Sequence, residues 1–133
     1  MPLLVRSPLL LMLACAAMLT ACSGGKPESA VETFYEAVAK GDVDKATAQI
    51  SFANVPADRV VQARGKVQMI VGEMQNRVEA NGGLDRVEIL ETTMDDTRES
   101  AHVRARVVFH NGRDDTQNHR LVKDDGDWRI QLR

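Results

Sequence analysis

"SAHVRARVVFHNGRDDTQNHRLVKDDGDWRIQLR", Ser100 to Arg133, decides the fold. It holds three alternating apolar runs, Ser100–His110, Thr116–Lys123 and Asp127–Arg133, separated by two turn signals. Alternation with period 2 is the mark of half-buried strands. Asp125-Gly126 is a favoured two-residue hairpin turn, and it sets Leu121 opposite Ile130 and His119 opposite Leu132, on the face of Trp128. The other turn is less direct. A two-residue Asn111-Gly112 loop would throw Val103, Val107 and Phe109 onto the opposite face. A three-residue loop, His110 to Gly112, with Gly112 left-handed in a bulge, brings all the large apolar residues to one side. That register predicts the pairs Ala101–Leu121, Val103–His119 and Ala105–Gln117.

The two faces of the predicted sheet then differ in chemistry. The inner face is aliphatic apart from Gln117 and His119, and Tyr35 could reach them from the first helix; a few polar groups in an apolar concavity suit a small ligand. The outer face carries His102, Arg104, Arg106, Asn118, Arg120, Arg129 and Gln131. As a unit, Arg104, Arg106, Arg120 and Arg129 are candidates for contact with anionic headgroups or an acidic partner, because the guanidinium fork suits phosphate. A solvated face with local ion pairs is the plainer alternative, each pair contributing roughly 0–1 kcal/mol.

Upstream lies a further strand, Leu84–Thr93, and before it three helices. Ser29 and Glu32 have capping-box spacing behind Pro27, and Val31, Phe34, Tyr35 and Val38 share a helical face. Gly41-Asp42 ends this helix and starts a short second one reaching Ile50. Pro56 opens a third that runs to about Ala80, with Val60, Val67, Val71, Met74 and Val78 as its stripe. Gly65 and Gly72 inside it are expected to let the sheet approach closely. The fold class is α+β: three N-terminal helices packed on a curved four-stranded antiparallel meander.

Before Glu28 the chain is different. Arg6 precedes a short apolar run, Leu9 to Met18, with a small-residue exit, the plan of a secretory signal peptide. The run is too short for a membrane-spanning helix, which needs about 20 apolar residues. Leu19-Thr20-Ala21-Cys22 resembles the lipobox of bacterial lipoproteins. The resemblance implies removal of residues 1–21, a diacylglycerol on Cys22 and N-acylation, palmitate being the expected acyl group. Ser23 in place of Asp favours the outer membrane, facing the periplasm. Residues 22–27 then form lipidated Cys22 and a short tether, and 28–133 a single domain standing at most about 20 Å off the bilayer.

Cys15 and Cys22 are the two cysteines, so the mature domain keeps no thiol for disulfides, metal ligation or catalysis. His102, His110 and His119 have no metal-ligand spacing. No cofactor is expected. A net charge of -2 gives no sign of a nucleic-acid partner.

"ESAVETFYEAVAKGDVDKATAQI" and the ending "LVKDDGDWRIQL" resemble the bacterial lipoprotein family called domain of unknown function 4878, of the nuclear transport factor 2-like (NTF2-like), cystatin-like superfamily. The resemblance runs over the mature chain and implies a sheet wrapped over helices into an open-mouthed cone. Relatives of the ketosteroid-isomerase and dehydratase type need a carboxylate base inside the cone. Glu91 is the nearest candidate. The expectation is a non-enzymatic, lipid-anchored binding or assembly module, monomeric or homodimeric, for an envelope protein or a small hydrophobic ligand; the alternative is a small enzyme using the cone.

Overall fold

The computed structural model describes residues 25–132; Cys22, the expected signal peptide and Arg133 lie outside them. Helix α1 spans Pro27–Lys40, α2 Val43–Ala48 and α3 Val60–Ala80. Strand β1 is Ile50–Ser51, β2 Leu84–Met94, β3 Ser100–Phe109, β4 Asp114–Asp124 and β5 Asp127–Gln131. The sheet order is β1-β5-β4-β3-β2. Strands β2 to β5 form the expected antiparallel meander. The expected four strands are five, however, and the sheet is mixed, because Ile50 and Ser51 pair in parallel with Ile130 and Gln131. The second helix does not reach Ile50 as expected. It stops at Ala48, and the Gln49 carbonyl accepts instead from the Ile130 N–H at 2.7 Å.

The β3–β4 register is the bulged one: Ala101 faces Leu121, Val103 faces His119 and Ala105 faces Gln117. Gly112, at φ 84°, donates its N–H to the Phe109 carbonyl at 3.0 Å and closes the three-residue loop. Asp125 and Gly126 both have positive φ, 51° and 82°, the backbone of a type I′ hairpin. Leu121 accordingly meets Ile130. The expected pair of His119 with Leu132 is absent, since β5 ends at Gln131 and Leu132 only packs against the core. Strand β4 starts two residues earlier than expected, at Asp114 rather than Thr116.

Helix α1 lies across the sheet with Val31, Phe34, Tyr35 and Val38 buried. Its start corrects the expected capping box. Pro27 is itself the first helical residue and Lys26 the uncapped N-cap, so Ser29 and Glu32 sit within the helix. Proline suits that first position because its φ is already helical and it has no N–H to satisfy. Gly41, at φ 72°, closes the helix: its N–H reaches the Val38 carbonyl and the Asp42 N–H reaches Ala37. Asp42 then caps α2 by accepting from the Lys45 N–H at 3.1 Å.

Helix α3 packs on α1 and α2 and touches the sheet little. A 3₁₀ turn, Ala57–Arg59, precedes it where the expected helix began. Val67, Val71 and Val78 are buried, yet Val61, Met69 and Ile70 stand out in solvent. Gly65 and Gly72 face open space: a Cβ at either position would meet nothing within 4 Å, so they do not serve close approach to the sheet. Their replacement by Ala therefore removes only the helix cost of glycine. Gly65→Ala and Gly72→Ala are each expected to raise stability by about 0.5–1 kcal/mol. Leu121→Ala, at a fully buried position, is expected to cost about 2–5 kcal/mol. Urea unfolding followed by the fluorescence of Trp128, the single tryptophan, measures both.

Candidate functional site

The register that places apolar residues inward also places Asp115, Gln117 and His119 at alternate positions of one face of β4. Across from them, Tyr35 comes from α1 and Met74, Arg77 and Val78 from α3. Together they line a cavity of about 320 Å³. Its walls are largely apolar: Phe34, Met74, Val78, Val107, Phe109 and Ile130. Tyr35, Gln117 and His119, with Tyr35 more than eighty positions before the other two, are thus brought to one cavity.

Tyr35 is buried, and its hydroxyl lies 2.8 Å from Nε2 of His119. The two rings meet edge to face, with centroids 5.7 Å apart, and Phe34 packs on Tyr35 in the same manner at 5.3 Å. A phenol out of water needs a hydrogen-bond partner, and His119 supplies one. Burial pushes the Tyr35 phenol well above the usual tyrosine range, and the negative charge of Asp115 pushes it further. Tyr35 is therefore a neutral hydrogen-bonding group at the cavity wall.

Asp115 is absent from the sequence-based candidates because it falls in the expected turn. Gln117 donates to its Oδ2 at 2.9 Å, and Arg77 approaches the same oxygen at 3.8 Å. These three form the polar mouth over the Tyr35–His119 pair. Gln117 is consequently a mouth residue, exposed to solvent, and its amide is turned to Asp115. Extending the alternation of β4 back by one step, from Gln117 to Asp115, is the signal that would have found the carboxylate. Glu91 is elsewhere: it is exposed and pairs with Arg104 after a bulge in β2.

The outer-face arginines divide into two pairs. Arg106 donates to Asp114 at 2.6 Å and to Glu88 at 3.3 Å, and Arg129 donates to the Ala48 carbonyl at 2.8 Å. Among the described residues no ion pair or side-chain hydrogen bond engages the guanidinium groups of Arg104 and Arg120, and both are exposed. His102 shares that outer face, His110 sits in the β3–β4 loop beside Asp85, and His119 lies in the cavity.

Tyr35 is the single tyrosine, so the phenol can be titrated alone. Its folded-state value is raised above the ordinary one, about 10. The stability it contributes is therefore intact below about pH 10 and is lost as pH rises through the folded value. Phenolate absorbance of the folded protein is expected to appear above the ordinary value, and Asp115→Asn to move its midpoint down. A midpoint at the ordinary value would show an open, hydrated phenol.

Comparison with known proteins agrees with this architecture. A crystal structure from Campylobacter jejuni, carrying the provisional name NTF2-like transpeptidase, superposes with a TM-score of 0.73 at 24% identity, covering 81% of this chain and 99% of that one. A protein of unknown function with cystatin-like fold from Methylobium petroleophilum PM1 gives a TM-score of 0.52 at 19% identity, over 79% of this chain and 72% of that one. At these identities the likeness is one of fold. No curated protein matches. The family model of the Domain of unknown function (DUF4878) matches residues 20–131, and the chain belongs to that family.

Proposed function

We propose that this chain is a non-enzymatic, lipid-anchored module of the bacterial cell envelope, held at Cys22 in the outer membrane and facing the periplasm. Its task is to hold a small, largely hydrophobic ligand in the cavity between α1, α3 and the sheet. The observation that carries the reading is the Tyr35–His119 hydrogen bond beside an aliphatic and aromatic cavity. Apolar walls supply affinity, and a few fixed polar groups select the ligand's orientation. Among the described residues no helix is long and apolar enough to cross a membrane, so attachment rests on the Cys22 motif. Arg104 and Arg120 are the outer-face groups left for anionic headgroups or an envelope protein.

A second reading, a small acid–base enzyme, gains support from Asp115, which stands with Tyr35 and His119 around one cavity. A base, a neutral donor and a histidine are the parts such chemistry uses. Asp115 is, however, already engaged by Gln117 and Arg77 at the mouth. The Campylobacter jejuni protein is named as a transpeptidase; among the described residues that line this chain's cavity there is no serine, threonine or cysteine to serve as a nucleophile.

Native mass spectrometry of the full chain, released gently from the envelope, tests the binding reading. A reproducible extra mass is expected, and Tyr35→Phe, which leaves His119 without its partner and open to water that an apolar ligand must displace, is expected to weaken its retention by about threefold to tenfold. A chain that is always apo, with Tyr35→Phe indistinguishable, would count against a ligand. Labelled palmitate is expected to enter the wild-type chain and to be absent from Cys22→Ser; equal labelling of both would remove the anchor.

A further inference from the structure

The 320 Å³ cavity does not stand alone. Helix α3 leans chiefly on α1 and α2. Beside its first half, facing Asn54, Val55 and Leu132, is a groove of about 910 Å³. Ile70 and Glu73 line this groove, while Met74 and Arg77, one turn further on, line the inner cavity. On the strand side Leu132 lines the groove and Ile130, two residues away on the same face, lines the cavity. Groove and cavity, lined by successive turns of α3, are taken together as one trough, in which roughly 16 Å of helix separate Lys66 from Arg77 at 1.5 Å per residue.

The two ends of the trough differ in charge. The inner end holds the carboxylate of Asp115 next to Arg77, with buried apolar side chains beneath. The outer end holds Arg59 and Lys66, whose side chains are exposed and, among the described residues, engage no carboxylate. Glu73 lies between them and keeps a negative group away from the middle. The outer walls are apolar surface left in water: Met69 is 68% exposed and Ile70 52%. An anion is thus favoured at the outer end, whereas the inner end, where Asp115 and Arg77 offset each other beside apolar side chains, offers it no net attraction; Ile70 and Met74 supply apolar surface on the turns between.

We infer that the trough binds a single-chain anionic amphiphile, with a fatty acid as its simplest member. The carboxylate sits between Arg59 and Lys66, and the acyl chain passes Ile70 and Met74 to end near Phe34 and Val107. This deepens the binding-module reading and rests on it: the Tyr35 cavity becomes the terminus of a longer site. Binding by apolar contact and one exposed charge pair requires no movement of the buried core.

The test is calorimetric titration of the full chain carrying Cys22→Ser, prepared without detergent, with dodecanoate below its micelle concentration. Dodecan-1-ol and butanoate are the controls for charge and for chain. Dodecanoate is expected to bind, with both controls at least about tenfold weaker. Arg59→Glu with Lys66→Glu is expected to cost dodecanoate about tenfold or more while leaving dodecan-1-ol unchanged. Ile70→Glu, at an exposed position that the fold tolerates, is expected to weaken both long-chain probes. Equal binding of dodecanoate and dodecan-1-ol, indifferent to the charge reversal, would overturn the amphiphile while leaving an apolar ligand in place. Failure of both long-chain probes would overturn it too; the binding-module reading would then survive only if a co-purifying mass still depended on Tyr35.

Discussion

The hydrogen bond from the Gly112 N–H to the Phe109 carbonyl, 3.0 Å long, is small, yet the rest of the domain depends on the loop it closes. Side chains on a strand alternate, so a loop one residue shorter would reverse every residue of β4 relative to β3. Leu121 would leave the core, and His119 would leave Tyr35. Only a left-handed residue closes a loop of this length on a bulge, and Gly112 adopts φ 84° without the clash a Cβ would bring. The loop is also held from outside. The His110 N–H donates to the Gly83 carbonyl at 3.0 Å and the Asn111 N–H to Asn81 at 3.2 Å, tying the β3–β4 turn to the end of α3. One local geometry thus fixes the core, the cavity and the position of α3 above it.

That dependence explains what could be read from the sequence and what could not. Asp125-Gly126 is a local signal whose geometry is set within a few residues, and the Leu121–Ile130 pair it implies is observed; the His110–Gly112 loop is chosen instead by the apolar faces of the strands it joins, and the β3–β4 pairs that follow are observed as well. The apolar spacing of Val31, Phe34, Tyr35 and Val38 likewise forecasts the buried face of α1. Strand β1 was not legible. Ile50 and Ser51 follow a helix directly, are too short for a periodic pattern, and find β5 only after the whole chain has turned back. Asp115 was hidden for another reason. "GRDDT" reads as a charged turn, and strand pairing with Val107 overrides that local preference. The candidate site was therefore visible in its Tyr, Gln and His, and invisible in its carboxylate and in Arg77.

Helix α3 shows how apolar composition can mislead when a helix has two apolar sides. Val67, Val71 and Val78 form the buried stripe, which makes the segment look like an ordinary core helix. Met69 and Ile70 lie beside that stripe and are left in water. Glycines at 65 and 72 could be assigned to close packing from sequence, yet both face solvent. A helix wholly committed to the core would turn these residues toward the sheet. This one rests chiefly on α1 and α2, and Met69 and Ile70 border the outer groove instead of the core.

Polar groups within the trough are arranged so that few of them are in competition for a ligand's apolar part. Tyr35 and His119 satisfy one another, so the buried end does not demand water or a second partner for the phenol. Asp115 is met by Gln117 and Arg77 at the mouth, which keeps its charge at the rim and off the floor. What remains uncovered on the floor is hydrocarbon and aromatic ring. Mutual satisfaction of this kind lets a cavity stay open without an orphaned phenol on its wall, because Tyr35 and His119 already meet each other there. Openness then follows from the placement of α3, and the sheet register decides which polar groups stand at its edge.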